Sequence, residues 1–401
     1  MWCHLDLVMK KRLLYYELIK YLNHKNALLI TGMRQVGKTT LMRQVYEEVK
    51  EPKLWFDFDN PLDQKIFEDE DYKVIYKRLI DMGKKVGKLS VFIDEIQNFP
   101  EVTRVIKYLI DHYSVKFYLT GSSNYYLKNL FPESLSGRKF LYELPPLSFQ
   151  EYLYFRDLVS LKEIQNVTIQ DAVNKNSVFT HKAFIAEYDD FVTYGGFPEV
   201  VTTEGRNMKI MVLKNIFASF FEKDIKILSD YTDIRELRDT ILLLVPRIGS
   251  MLDVTRLSSE LSIDRVKIYR FLEFLQGTFF IRLLPRFSNS IDRAVAGGKK
   301  VYFTDTGLLN VIGKVSEAQL FENSIVNQLS GYNKVSFYNK RNTAEIDVIL
   351  DKQIAFEVKL TGTEQDLLKL SALSSELGIS QTYVISKKFQ EKQGFLSPTI
   401  L

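Results

Sequence analysis

A chain of 401 residues is too long for one typical core and is expected to fold as two or three domains. With 46% apolar and 26% charged residues its composition excludes a disordered chain, and the net charge of +4, a small difference between 54 basic and 50 acidic side chains, leans only slightly toward polyanionic partners. Its single cysteine, Cys3, excludes an internal disulfide and a Cys-based zinc site and fits the cytoplasm.

At the start of the chain Asp6 interrupts the apolar run and the basic cluster Lys10, Lys11 and Arg12 follows that run, so no signal peptide is read. No uncharged apolar stretch approaches the about 18 residues a membrane span needs, so no membrane association is expected. Leu13, Tyr16, Leu18, Ile19 and Leu22 recur at helical spacing and predict an amphipathic helix.

Next comes ALLITGMRQVGKTTLMRQVYEEV: a short apolar strand from residue 27, a glycine-bearing turn, and a helix starting near Lys38. This is the pattern of a phosphate-binding loop, G-x-x-x-x-G-K-T, and it predicts nucleotide binding. Gly32 and Gly37 allow the tight turn in which the backbone N–H groups of Met33, Arg34, Gln35 and Val36 can face phosphate oxygens, aided by the helix N-terminus. Lys38 is expected on the β- and γ-phosphates, Thr39 on magnesium, and Thr40 as a further phosphate contact.

The apolar run of residues 89–93 ends in Asp94 and Glu95, as a buried parallel strand does at a ligand-binding edge. Asp94 suits the magnesium shell, and Glu95 the activation of the attacking water. A third run, residues 115–119, ends in Thr120-Gly121-Ser122-Ser123. There Ser122 either senses the γ-phosphate or, with Ser123, caps a helix starting near Asn124. In SLSGRKF, Arg138 follows a Ser-Gly pair from which a guanidinium could reach a nucleotide in its own or a neighbouring subunit.

Together GMRQVGKT, FIDE, LTGSS, SGRKF and ELPPLSFQEYL, continuing through YGGFPEV, FEKDI, KVYFTDTGL, FENSIVNQL, EIDVIL and FEVKL, resemble the AAA-type ATPases of bacteria and archaea that carry a C-terminal domain of unknown function. The resemblance implies an α/β protein with a three-layer αβα P-loop ATPase core in which Lys38, Thr39, Asp94, Glu95, Ser122 and Arg138 take the corresponding roles. It leaves the physiological task open.

The rest of the chain is expected to divide further. After a P-loop domain over residues 1–150, a helical lid is expected over 151–245, broken at Tyr194-Gly195-Gly196-Phe197-Pro198. Residues 246–295 show a short helix, a turn near Ser262, a second helix bearing Arg265, Lys267 and Arg270, then strand-like residues: a winged-helix-like outline that serves either DNA binding or scaffolding. On the second helix Val266, Ile268, Phe271, Leu272 and Leu275 are read as packing positions.

Residues 296–401 form the last domain, with a hairpin of 344–350 and 354–359 turning at Asp351 and Lys352. Asp347, Glu357 and Lys359, with Glu322 on the preceding helix, would make a second metal site, with Glu345 a neighbouring carboxylate. That arrangement resembles the site of restriction-endonuclease-like nucleases, and a hairpin with its charges outward is the alternative. The expectation is a magnesium-dependent ATP hydrolase acting on DNA, against a nucleotide-controlled switch that binds a protein partner. A small-molecule kinase is disfavoured by Glu95.

Overall fold

The computed structural model describes residues 10–84, 88–122, 135, 137–225, 231–288, 290, 297–340 and 344–401. Two compact units divide after Pro145: Met1–Pro145 and Pro146–Leu401.

The first unit begins with helix α1 (Leu13–Leu18), which tightens into the 3₁₀ turn Ile19–Tyr21. Tyr15 and Leu18 are its buried residues, so the inward face is rotated from the one the apolar spacing predicts. Strands β1 (Ala27–Thr31), β2 (Lys53–Asp57), β3 (Ser90–Asp94), β4 (Lys116–Gly121) and β5 (Lys139–Glu143) form one sheet in the order β2-β3-β4-β1-β5, every pair parallel. Such a sheet must be covered on both faces, because its central strands β1, β3 and β4 are runs of buried residues.

One cover is α2 (Lys38–Glu48), whose Tyr46 meets Phe92 edge-on at 4.9 Å, while Phe92 and Tyr118 stack at 4.2 Å. The opposite cover comprises α4 (Tyr72–Gly83) and α5 (Val102–Tyr113), with the short α3 (Pro61–Lys65) after β2. There Val91 and Ile93 of β3 join Ile75, Leu79 and Ile106 in a continuous core. Alternate residues of β3 thus serve opposite layers, the period of two that makes a three-layer αβα arrangement.

The second unit opens with helices α6 (Phe149–Phe155), α7 (Leu161–Ile164), α8 (Ile169–Asn174), α9 (Val178–Tyr194), α10 (Pro198–Thr202), α11 (Arg206–Ser219) and α12 (Tyr231–Leu244). Their starts follow local chemistry: Ser148 with Glu151 and Thr168 with Asp171 are reciprocal capping boxes. Then come α13 (Val254–Leu261) and α14 (Arg265–Gly277), separated by Ser262 in the left-handed region, followed by the antiparallel pair β6 (Ile281–Pro285) and β7 (Lys299–Phe303).

After α15 (Thr306–Ile312) and α16 (Glu317–Tyr332), a second sheet is built from β8 (Val335–Asn339), β9 (Glu345–Leu350), β10 (Ile354–Lys359), β11 (Gln381–Ser386) and β12 (Phe395–Leu396), ordered β12-β11-β10-β9-β8. It is mixed: β8, β9 and β10 pair antiparallel, whereas β10, β11 and β12 pair parallel across α17 (Glu364–Glu376). Asp351 and Lys352 both take positive φ, 48° and 60°, the conformation a tight hairpin turn demands. Among the described residues no helix is long and apolar enough to cross a membrane.

Candidate functional site: a phosphate loop facing a carboxylate pair

In a parallel sheet, ligands bind beyond the carboxyl ends of the strands where the strand order switches direction. Here β1 is that strand, flanked by β4 and β5, and the loop of residues 32–37 leaves its end. Gly32 has φ 153°, and a Cβ there would lie 2.2 Å from the carbonyl oxygen of Leu144. Gly37, at φ 97°, starts α2, and Gln35 is also in the left-handed region.

Lys38 is buried, its ammonium donating to the carbonyls of Gly32 and Met33, both at 2.9 Å. The loop is braced from behind by Arg12, a buried guanidinium that donates to Val36 O at 3.0 Å and Pro145 O at 2.9 Å. No sequence signal marks Arg12, because its partners are backbone carbonyls distant along the chain.

Register brings the other groups alongside. Ile93 pairs with Leu119 and Thr31 with Gly121, so Asp94, Glu95 and residues 120–122 gather beside the loop. Asp94 is buried, hydrogen-bonded to the hydroxyls of Thr120 and Thr39. Burial pushes its carboxyl above the ordinary range despite those bonds, with further repulsion from Glu95 and Asp57. A buried carboxylate short of positive charge beside a hydroxyl is a donor set of hard oxygens, which fits magnesium.

Glu95 differs. Burial pushes its carboxyl up, but the Lys38 ammonium, bonds from Ser122 and Gln97, and Arg34 outweigh burial and hold it below the ordinary range. Ser122 Oγ donates to Glu95 Oε2 at 2.6 Å, and Arg34 Nη1 lies 3.9 Å from Oε1. Ser122 therefore touches the carboxylate expected to activate water, and the helix named as its alternative capping target lies outside the described residues. Gln97 and Thr120 are the neighbours that sequence reasoning left without roles. Their signals are a polar residue two after Glu95 and a hydroxyl at a strand end.

Residues 24–153 match the AAA domain family. Residues 185–319 match a second family model, described as a domain of unknown function, which lies over α9 to α16. Over most of its length the chain is similar to uncharacterized proteins of Methanocaldococcus jannaschii (25% identical, 84% of this chain and 76% of that protein) and Haemophilus influenzae (24%, 88% of each). Among solved structures it resembles a Walker-type ATPase of Pyrococcus abyssi, with 17% identity, 74% of this chain and 94% of that one, and a TM-score of 0.43. A further likeness is to the Aeropyrum pernix ORC1 protein in complex with DNA, at 14% identity, 79% and 93% coverage and TM-score 0.33.

Within the AAA-like unit, Arg138 is remote from the phosphate loop. Its carbonyl accepts from Ala27 N at 2.8 Å, at the amino end of β1, and its guanidinium pairs with Asp111 at 2.6 Å. The loop leaves the other end of β1, roughly 13 Å away along the strand. This corrects the reading that Arg138 can reach the nucleotide of its own subunit. It lines a cleft of about 510 Å³ with Lys25, Lys116 and Asp111.

In the second unit, Lys267 is not on the open face of α14: its ammonium pairs with Asp233 and Glu236 of α12. Val266, expected to pack inward, is exposed, as is Tyr269. Arg265 and Arg270 are exposed and, among the described residues, have no acidic partner.

Further on, the sheet collects the expected carboxylates of the last domain. Lys359 pairs with Glu357 at 2.6 Å, Val358 N donates to Asp347 Oδ2 at 2.9 Å, and Tyr302 donates to Glu322 at 2.7 Å. Lys300, buried, bonds Glu345 and lies 3.7 Å from Glu322. Burial and Asp347 push both Glu322 and Glu357 up to about 7. Among the described residues, no three His, Cys, Asp or Glu side chains are placed to hold a metal ion. Lysines and backbone N–H groups fill the positions a cation would take, so this cluster is as arranged a lysine–carboxylate network.

Proposed function

We propose that the protein is a magnesium-dependent ATP hydrolase that works on or near nucleic acid. The observation that supports this most is the convergence, at the carboxyl ends of β1, β3 and β4, of Lys38, the bonded pair Thr39 and Asp94, and a half-buried Glu95 kept ionised by its neighbours. On this reading the loop residues 32–40 cradle the phosphates. Lys38 exchanges the carbonyls of Gly32 and Met33 for phosphate oxygens. Glu95 takes the proton of the attacking water, and Ser122 lies close enough to report the γ-phosphate to it. Thr39 and Asp94 would hold magnesium, which when bound neutralises charge on the phosphate oxygens.

Nucleic acid is the favoured partner because α14 presents Arg265 and Arg270 on the second helix of a winged-helix-like segment. The last domain would contribute a nuclease-like site in which Glu322, Asp347, Glu357 and Lys359 take a divalent cation. The two carboxyls raised to about 7 support that reading, since burial and the neighbouring Asp347 raise them and so mark acidic groups held together there. Against it, a nucleotide-controlled switch binding a protein is supported by the lysines that already occupy the cluster.

One set of assays separates these. ATP hydrolysis is followed with and without magnesium, duplex DNA and single-stranded DNA, for the wild type, Glu95→Gln and Asp347→Ala, while strand cleavage is scored in the same tubes. Magnesium-dependent turnover that Glu95→Gln lowers about 10²-fold or more supports the hydrolase. Turnover indifferent to DNA, without cleavage, retires the nuclease and leaves the switch.

A further inference from the structure

Glu95 is a non-glycine residue with left-handed backbone angles, φ 53° and ψ 49°, at the start of the 3₁₀ turn Ile96–Asn98. That conformation is disfavoured for a residue with a Cβ and persists only where its surroundings hold it. Two bonds do so: Glu95 N donates to Thr120 Oγ1 at 3.1 Å, and Asn98 N donates to Glu95 O at 3.0 Å. The consequence is a reversal of direction within two residues, which turns the side chain of Gln97 back onto that of Glu95.

The Gln97 amide is engaged from both ends. Its Nε2 donates to Glu95 Oε2 and to Ser122 Oγ, the latter at 3.2 Å, and its Oε1 accepts from Ser122 N at 3.2 Å. Ser122 Oγ in turn donates to the same Glu95 Oε2. Two donors therefore converge on one carboxylate oxygen. The other oxygen, Oε1, has no hydrogen-bond partner among the described residues; Arg34 Nη1 at 3.9 Å is beyond bonding distance. A carboxylate pinned by one oxygen with the second one open is aimed, because rotation about its terminal torsion would break two bonds at once.

We propose that Gln97 is the positioning residue for Glu95, locking Oε2 against Ser122 so that Oε1 is presented to the attacking water. The proposal rests on the reading of Glu95 as the base in ATP hydrolysis. Among the described residues the Gln97 side chain bonds Glu95 and Ser122 and no residue of the loop, so its contribution passes through Glu95. Misplacing a reacting group by about 1 Å can cost roughly 10²-fold in rate, which sets the size of the expected effect.

Steady-state ATP hydrolysis and fluorescent-nucleotide affinity are measured for Gln97→Met, which keeps the length and removes the donor and acceptor, for Glu95→Gln, and for the double variant. The expected result is kcat lowered roughly 10- to 100-fold in Gln97→Met with nucleotide affinity within about threefold of wild type, and no further loss when Gln97→Met is added to Glu95→Gln. A structural role would instead weaken nucleotide binding or add its loss to that of Glu95→Gln. If Gln97→Met does not fold, Gln97→Glu preserves an acceptor for Ser122 N and is expected to show the same fall in kcat. Wild-type kcat in either folded variant, or additive losses in the double variant, overturns the proposal. With Glu95→Gln inactive, such a result leaves the hydrolase reading standing; full turnover in Glu95→Gln removes both.

Discussion

Asp305 shows how much a single buried charge can organise. It is the N-cap of α15, and its carboxylate accepts from Leu308 N at 2.9 Å and Gly196 N at 2.7 Å, with Gly307 N a third donor. Burial nevertheless pushes its carboxyl up to about 6. Between pH of about 4 and 6 the folded protein keeps a proton that the unfolded chain has released, so this group's stabilising share is complete below that window and lost as pH rises through it. Asp305→Asn is expected to remove that component. Unfolding free energies from urea titrations at pH 4.5 and 6.5 should therefore differ less in the variant than in the wild type, by an amount on the order of 2 kcal/mol. Equal pH dependence in both would show that Asp305 does not titrate there. The glycines of YGGFP are explained by the same junction: a Cβ on Gly195 would lie 2.2 Å from Asp305, and one on Gly196 2.3 Å from Leu147 O.

At the scale of elements, what was legible was whatever depends on neighbours in sequence. The strand, glycine loop and helix of residues 27–48 form as their pattern predicts, as does the hairpin turning at Asp351 and Lys352, because turn chemistry and strand period are local. Helix α14 was legible in extent but not in orientation. Val266 and Ile268 look alike in sequence, yet the first is exposed and the second buried. Lys267 reads as a free cation in sequence, but α12 brings Asp233 and Glu236 against it. Duplex-DNA binding measured across a salt series should accordingly be unchanged within about twofold in Lys267→Ala, whereas Arg265→Ala with Arg270→Ala should weaken it and reduce the salt slope by about 1 for each phosphate no longer neutralised. Identical behaviour of the Lys267 variant and the double arginine variant would argue that α14 does not face DNA.

At the scale of the whole molecule, Arg138 is the clearest case of a residue whose meaning depends on topology. Parallel strands put the phosphate loop at one end of the sheet and the residue preceding β5 at the other, so any action of Arg138 on nucleotide would come in trans, from a second copy of the chain. Specific turnover should then rise with protein concentration, and Arg138→Ala should abolish that rise while leaving nucleotide affinity intact, with a loss of roughly 10³-fold or more at saturation. Concentration-independent turnover in the wild type would rule out the trans role.

By itself the sequence determined the phosphate-loop pattern and the acidic strand end at Asp94 and Glu95, since each rests on residues adjacent or a few positions apart, while the α/β class came through the family resemblance. Only the tertiary structure decided that Arg12 braces the loop, that Gln97 and Ser122 converge on one oxygen of Glu95, that Arg138 lies away from its own loop, and that lysines fill the carboxylate cluster of the last domain. The reason is one of distance along the chain. Strand register and side-chain approach are set by packing among segments up to a hundred and more residues apart, and no local pattern encodes which of two charges will find the other.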